Sequence, residues 1–88
     1  MSAADAAPTS AQLGRILWRC RRGMKELDLL LERFGRRGLP QAAPAERALF
    51  EELLELPDPL LAGYLLGGVP PADPQMAPLL EQIRAYVA

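Results

Sequence analysis

The residues best equipped for chemistry lie in one run, Arg19-Cys20-Arg21-Arg22-Gly23-Met24-Lys25-Glu26-Leu27-Asp28, with four cations, two carboxylates, a thiol and a glycine. Arginine pairs bidentately with carboxylate or phosphate, so such a corner, held rigid between two helices, offers a docking surface of defined geometry. The same residues also suit a plain structural role. Cations favour a helix C-terminus, Glu26 and Asp28 favour the first turn of a following helix, and Gly23 can adopt the positive φ of a turn. The residues alone leave both readings open. Cys20 has no resolving cysteine and falls on an apolar stripe, so it reads as a core residue rather than a redox nucleophile.

Composition narrows the classes of function. The chain has no histidine, which removes the commonest general acid/base, the Ser-His and Cys-His nucleophile pairs, and histidine-ligated metals. One cysteine rules out an internal disulfide and any multi-cysteine metal site, which points to a reducing compartment, the cytoplasm. At 88 residues, a chain buries only about 60% of its unfolded surface, leaving little room for both a core and a carved active site. The expectation is therefore a binding protein, not an enzyme, with no stably bound cofactor and no metal. Residues 1–10 lack the features of a secretory or transit peptide, and the longest uncharged stretch, between Asp58 and Asp73, is too short and too Gly/Pro-broken for a membrane span.

The net charge of −1 conceals a division. Arg15 to Arg37 holds eight basic residues against three acids, whereas Glu46 to Glu81 holds seven acids against Arg47 alone. A pI near 5.3 argues against nucleic acid as a partner. Composition favours a solvated face, or attraction between the two halves, over a basic docking patch.

The elements that carry this corner follow from helical periodicity. Residues 1–8 read as a flexible tail and 9–88 as one all-α domain, a compact bundle of five short helices. Thr9 or Ser10 can cap a first helix, with Gln12 as capping-box partner to Thr9, and Leu13, Ile16, Leu17 and Cys20 lie on its apolar face. Gly23 ends that element. Met24, Leu27, Leu30, Leu31 and Phe34 define the second, which is expected to stop at a Gly35-to-Pro40 loop. Pro44 opens a third, with Leu49, Phe50, Leu53 and Leu54 inward. Asp58-Pro59 is expected to cap a fourth, Leu60 to Leu66, closed by Gly67-Gly68. Asp73-Pro74 repeats the device for a fifth, carrying Met76, Leu79, Leu80, Ile83 and Val87 to the C-terminus. No segment alternates like a strand. Trp18 falls opposite the first apolar stripe, beside Arg15 and Arg22, either covered by another helix or exposed as an interface anchor. Leu29 is similarly off its stripe.

The run from Arg15 to Asp28, with its Arg-Gly-x-x-Glu core Arg22-Gly23-Met24-Lys25-Glu26, resembles the signature of the SdhE-type succinate dehydrogenase FAD assembly factors. Phe50-Glu51-Glu52-Leu53-Leu54-Glu55, Pro57-Asp58-Pro59 and Pro71-Ala72-Asp73 resemble the rest of that family's pattern, so the likeness spans about Gln12 to Tyr86. Three departures stand out: Phe34 is followed by Gly35 to Leu39 where the family has a second aromatic and an acidic, Tyr-containing stretch; Ala43 replaces a Ser or Asp cap; and Tyr64 replaces a tryptophan. The resemblance implies a five-helix protein that binds the flavoprotein subunit of succinate dehydrogenase, and of fumarate reductase, while FAD is attached to a histidine of that subunit. It implies that FAD belongs to the partner and that Arg22, Gly23 and Glu26 lie at the interface. Trp18, Arg21, Lys25 and Asp28 are added by position. A monomer is expected. The rival readings are a basic corner binding an anion such as a nucleotide, free flavin or nucleic acid through Arg15, Arg19, Arg21, Arg22 and Lys25, and an antitoxin-type interaction protein.

Overall fold

A computed structural model describes residues 9–86. The first helix, α1 (Ser10–Arg19), begins with a complete capping box: the Gln12 amide donates to Thr9 Oγ1 at 3.2 Å and the Thr9 amide to Gln12 Oε1 at 2.9 Å. Two of the amides that a helix start leaves without partners are thereby satisfied. After a turn at Gly23 comes α2 (Lys25–Arg33), then a π-helical turn (Phe34–Gly38) and a 3-10 turn (Leu39–Gln41). Pro44 is the first residue of α3 (Pro44–Leu54), where its missing N–H is no loss. Two further helices, α4 (Asp58–Leu65) and α5 (Met76–Ala85), complete the bundle, and among the described residues there is no strand. The expected tail, residues 1–8, and Val87 lie outside the described residues.

The core runs through all five helices. Ile16 and Cys20 of α1's stripe, Leu27 and Leu31 of α2, Phe50 and Leu53 of α3, Leu61 of α4 and Ile83 of α5 are buried. Phe34 packs its ring 5.1 Å from that of Phe50, centroid to centroid, and meets Tyr86 edge-on at 6.0 Å. Both geometries are favourable for aromatic quadrupoles. Within the second half, α5 and the loop before it are joined to α4 by Arg84, which donates to the Tyr64 carbonyl at 2.9 Å, and by the Tyr64 hydroxyl, which accepts the Ala72 amide at 3.3 Å.

Four expectations need correction. The Gly35-to-Pro40 segment is helical rather than a loop, because its glycines serve close packing instead of chain reversal. A Cβ on Gly38 would lie 2.8 Å from Phe34 ring atoms, and one on Gly35 would lie 2.9 Å from Leu17 Cδ2. The π-turn absorbs one extra residue per turn and leaves the Leu39 amide bonded to the Phe34 carbonyl. Asp58 is not a cap but the first residue of α4, after Pro57 at the N-cap, and its carboxylate is engaged elsewhere. Met24 is no part of α2's inward stripe: it precedes the helix in extended conformation and is exposed. Helix α5 is shorter than expected at both ends: it starts at Met76 after Gln75, so Asp73-Pro74 lies in the turn before it and does not cap it, and it stops at Ala85, with Tyr86 already extended at ψ 110°.

Candidate functional site

The corner between α1 and α2 is built from both of its flanks. Gly23 adopts φ +83°, a conformation costly to residues with a side chain, and this reverses the chain. Asp28, one turn into α2, reaches back so that Oδ1 accepts the Arg22 amide at 2.8 Å and Oδ2 accepts the Gly23 amide at 3.2 Å. The carboxylate thus takes two successive main-chain donors of the turn, bonds strengthened by its charge. Its role is more specific than the helix-start preference that sequence suggests.

Arg22 is secured from the opposite side. Its Nε donates to the Arg19 carbonyl at 2.9 Å, Nη1 to the Leu56 carbonyl at 3.2 Å and to Asp58 Oδ1 at 2.9 Å, and Nη2 to the Leu54 carbonyl. Only 14% of the side chain is exposed. Leu54 ends α3, where carbonyls lack helical partners and the helix dipole favours a cation, while Asp58 opens α4, where the dipole favours an anion. Arg19 likewise spans to α3, with Nη1 at 3.5 Å from Glu51 and Nη2 at 3.3 Å from Glu55. These two arginines carry the attraction between the basic and acidic halves. The pairs made by Arg19 are partly exposed and stabilise little; Arg22 is the enclosed one.

The remaining corner residues face solvent. Gly23, Lys25 and Glu26 are exposed, and no hydrogen bond or ion pair joins the Lys25 or Glu26 side chain to another described residue. Trp18 is 72% exposed, which settles its two readings in favour of an uncovered ring; the Arg21 guanidinium carbon lies 6.0 Å from the ring centroid. Leu29, 48% exposed, stands three residues beyond Glu26 on the same face of α2. An open groove of about 340 Å³ beside Trp18 is lined by Gly14, Leu17, Arg21, Glu32 and Arg36. Of the seven residues singled out in the sequence, five (Trp18, Arg21, Gly23, Lys25 and Glu26) present an accessible surface. Arg22 and Asp28 have their charged atoms committed within the chain. Sequence reasoning missed Asp58 as Arg22's counterpart; the charge division signalled that the halves attract, not which pair meets.

Cys20 is fully buried, its Sγ 3.4 Å from the Ile16 carbonyl. Burial, and then the negative charge of Glu32, push its thiol from 9.0 up to about 12. That agrees with a core residue and opposes a redox role. Because the folded thiol holds its proton more tightly than the unfolded one, its stabilising effect is complete below pH 9 and is lost as pH rises from 9 towards 12. Urea titrations should show stability falling more steeply across that window in wild type than in Cys20→Ala, and an alkylating reagent at pH 8 should label wild type only after unfolding.

Among the described residues no group of His, Cys, Asp and Glu could hold a metal ion, and no helix is long and apolar enough to cross a membrane. Residues 14–87 match a family model described as flavinator of succinate dehydrogenase. The chain is 43% identical over 70 residues to the FAD assembly factor SdhE of Coxiella burnetii, covering 80% of this chain and 85% of that protein. It is 44% identical over 77 residues to the FAD assembly factor SdhE of Methylococcus capsulatus, covering 88% and 93%. The protein of the same name from Legionella pneumophila is 42% identical over 70 residues, covering 80% and 87%.

Proposed function

The chain belongs to the family of succinate dehydrogenase flavinators, and from that premise we propose that it binds the flavoprotein subunit of succinate dehydrogenase and promotes covalent attachment of FAD to a histidine there. The observation that carries this reading is the corner: Gly23 and Glu26 stand free on a turn whose main chain is fixed by Asp28. A chain without histidine cannot supply the nucleophile, so that group is the client's. The flavin would supply the electrophilic carbon and the client the histidine, so attachment would depend on aligning the two. This protein supplies alignment by holding the client's domains, an effect of positioning rather than of a catalytic site of its own. Trp18 and Leu29 provide apolar contact, Lys25 and Arg21 steer the client's acidic groups, and Glu26 accepts a hydrogen bond or pairs with a cation. FAD stays with the client, the factor works as a cytoplasmic monomer, and fumarate reductase is a second client.

The anion-binding reading loses two of its five residues, since Arg19 is paired with Glu51 and Glu55 and Arg22 is enclosed. Neither it nor the antitoxin reading has support in the comparisons. The test is in-gel flavin fluorescence of denatured succinate dehydrogenase flavoprotein from cells with and without this chain, because only covalent flavin survives denaturation. The band should vanish without the protein, return with wild type and stay absent with Glu26→Ala. An unchanged band without the protein would overturn the reading.

A further inference from the structure

We infer that Arg22 serves the flavinylation surface from within, as the centre of a strut running from Asp58 through its guanidinium and main-chain amide to Asp28, and that Asp58 is therefore a positioning residue for Glu26. The inference rests on the function proposed above and adds a residue 36 positions away from Arg22. A guanidinium has five N–H donors in a fixed fork, and here Nε, Nη1 and Nη2 all point at partners: the carbonyls of Arg19, Leu54 and Leu56 and the Asp58 carboxylate. To reach a client, the fork would have to abandon enclosed carbonyls and leave Asp58 without its cation, an exchange that carries the desolvation cost of each orphaned group. The side chain of residue 22 is thus held by the ends of α3 and α4, while its amide and that of Gly23 are held by α2 through Asp28.

The consequence is mechanical. Met24 has no side-chain cap to fix the start of α2, and Gly23 is the most easily deformed residue in the turn. With the strut in place, Glu26 is presented at one fixed position relative to the second half of the bundle, and binding need not pay the entropy of ordering the corner. Lysine cannot replace this arginine, since one ammonium on a flexible stem does not span three carbonyls and a carboxylate.

Affinity for the purified flavoprotein subunit, measured by titration calorimetry well below the melting temperature of each folded variant, tests the strut. Glu26→Ala should weaken binding about tenfold or more in wild type but only about twofold in the Arg22→Lys background, because the lysine variant has already lost the placement of Glu26. Asp58→Asn should weaken binding severalfold, although its own side chain is 41% exposed on another helix. Independent losses for Arg22→Lys and Glu26→Ala, or wild-type affinity in Asp58→Asn, would overturn the inference in favour of direct contact by Arg22. Amide hydrogen exchange of the free protein reads the strut without the client: Arg22 and Gly23 should exchange faster in Asp58→Asn than in wild type. Unchanged exchange would refute the strut. Failure of wild type itself to bind would refute the proposed client while leaving the exchange result to decide the strut.

Discussion

Gly23→Arg is expected to abolish flavinylation of the client while the bundle stays folded. A residue with a Cβ at φ +83° carries left-handed strain of about 1–2 kcal/mol, and the bundle's remaining contacts outweigh it. Space is no obstacle within the chain, since nothing lies within 4 Å of a Cβ built at this position. The arginine therefore projects outward into the space that the proposed docking assigns to the client's backbone. Circular dichroism should show native helicity with a melting temperature lowered by about 4–16 °C, by the usual scaling for a domain of this size. Rates of covalent flavin incorporation should fall by at least about tenfold, the equivalent of about 1.4 kcal/mol at the interface. Gly23→Ala separates the causes, for it carries the same strain without the bulk and should keep most of the activity. If alanine proves as damaging as arginine, the glycine matters for the turn and not for the client's approach.

This corner also shows how far the sequence reaches. The Thr9 capping box, Pro44 at the first turn of α3 and the burial of Cys20 are all legible, because each depends on residues within four positions of one another. The off-stripe placement of Trp18 and Leu29 is likewise a matter of angle along one helix, and both are exposed. The errors lie where distant chain segments decide. Gly35 and Gly38 read as helix breakers, yet the close approach of Leu17 and Phe34 makes them packing glycines within continuous helical turns. Asp58-Pro59 reads as a cap, yet Arg22, far away in sequence, claims the carboxylate. No local rule distinguishes an aspartate that caps its own helix from one that receives an arginine across the bundle. The motif residues were legible as a group. Their division into exposed Gly23, Lys25 and Glu26 and committed Arg22 and Asp28 required the packing of α3 and α4 against the turn.

Phe50→Ala is expected to give the largest loss of stability, and it separates a folding defect from a docking defect. Phe50 is fully buried in α3, with its ring against Phe34, which in turn meets Tyr86. Truncation removes that apolar surface from the core and leaves a cavity that short helices joined by tight turns collapse into only partly, at a cost of about 3–5 kcal/mol. For a domain with total stability of about 5–15 kcal/mol, this is a large fraction. The melting temperature should fall by roughly 12–40 °C, read by circular dichroism. Phe50 is buried and contributes no surface to the exposed corner, so the molecules that remain folded should keep Gly23, Lys25 and Glu26 accessible. Flavinylation by Phe50→Ala should therefore fail near its lowered melting temperature and recover on cooling below it. Gly23→Arg should stay inactive at both temperatures. If Phe50→Ala remained inactive when fully folded, the aromatic contact would also have to shape the docking surface, and the corner alone would no longer account for binding.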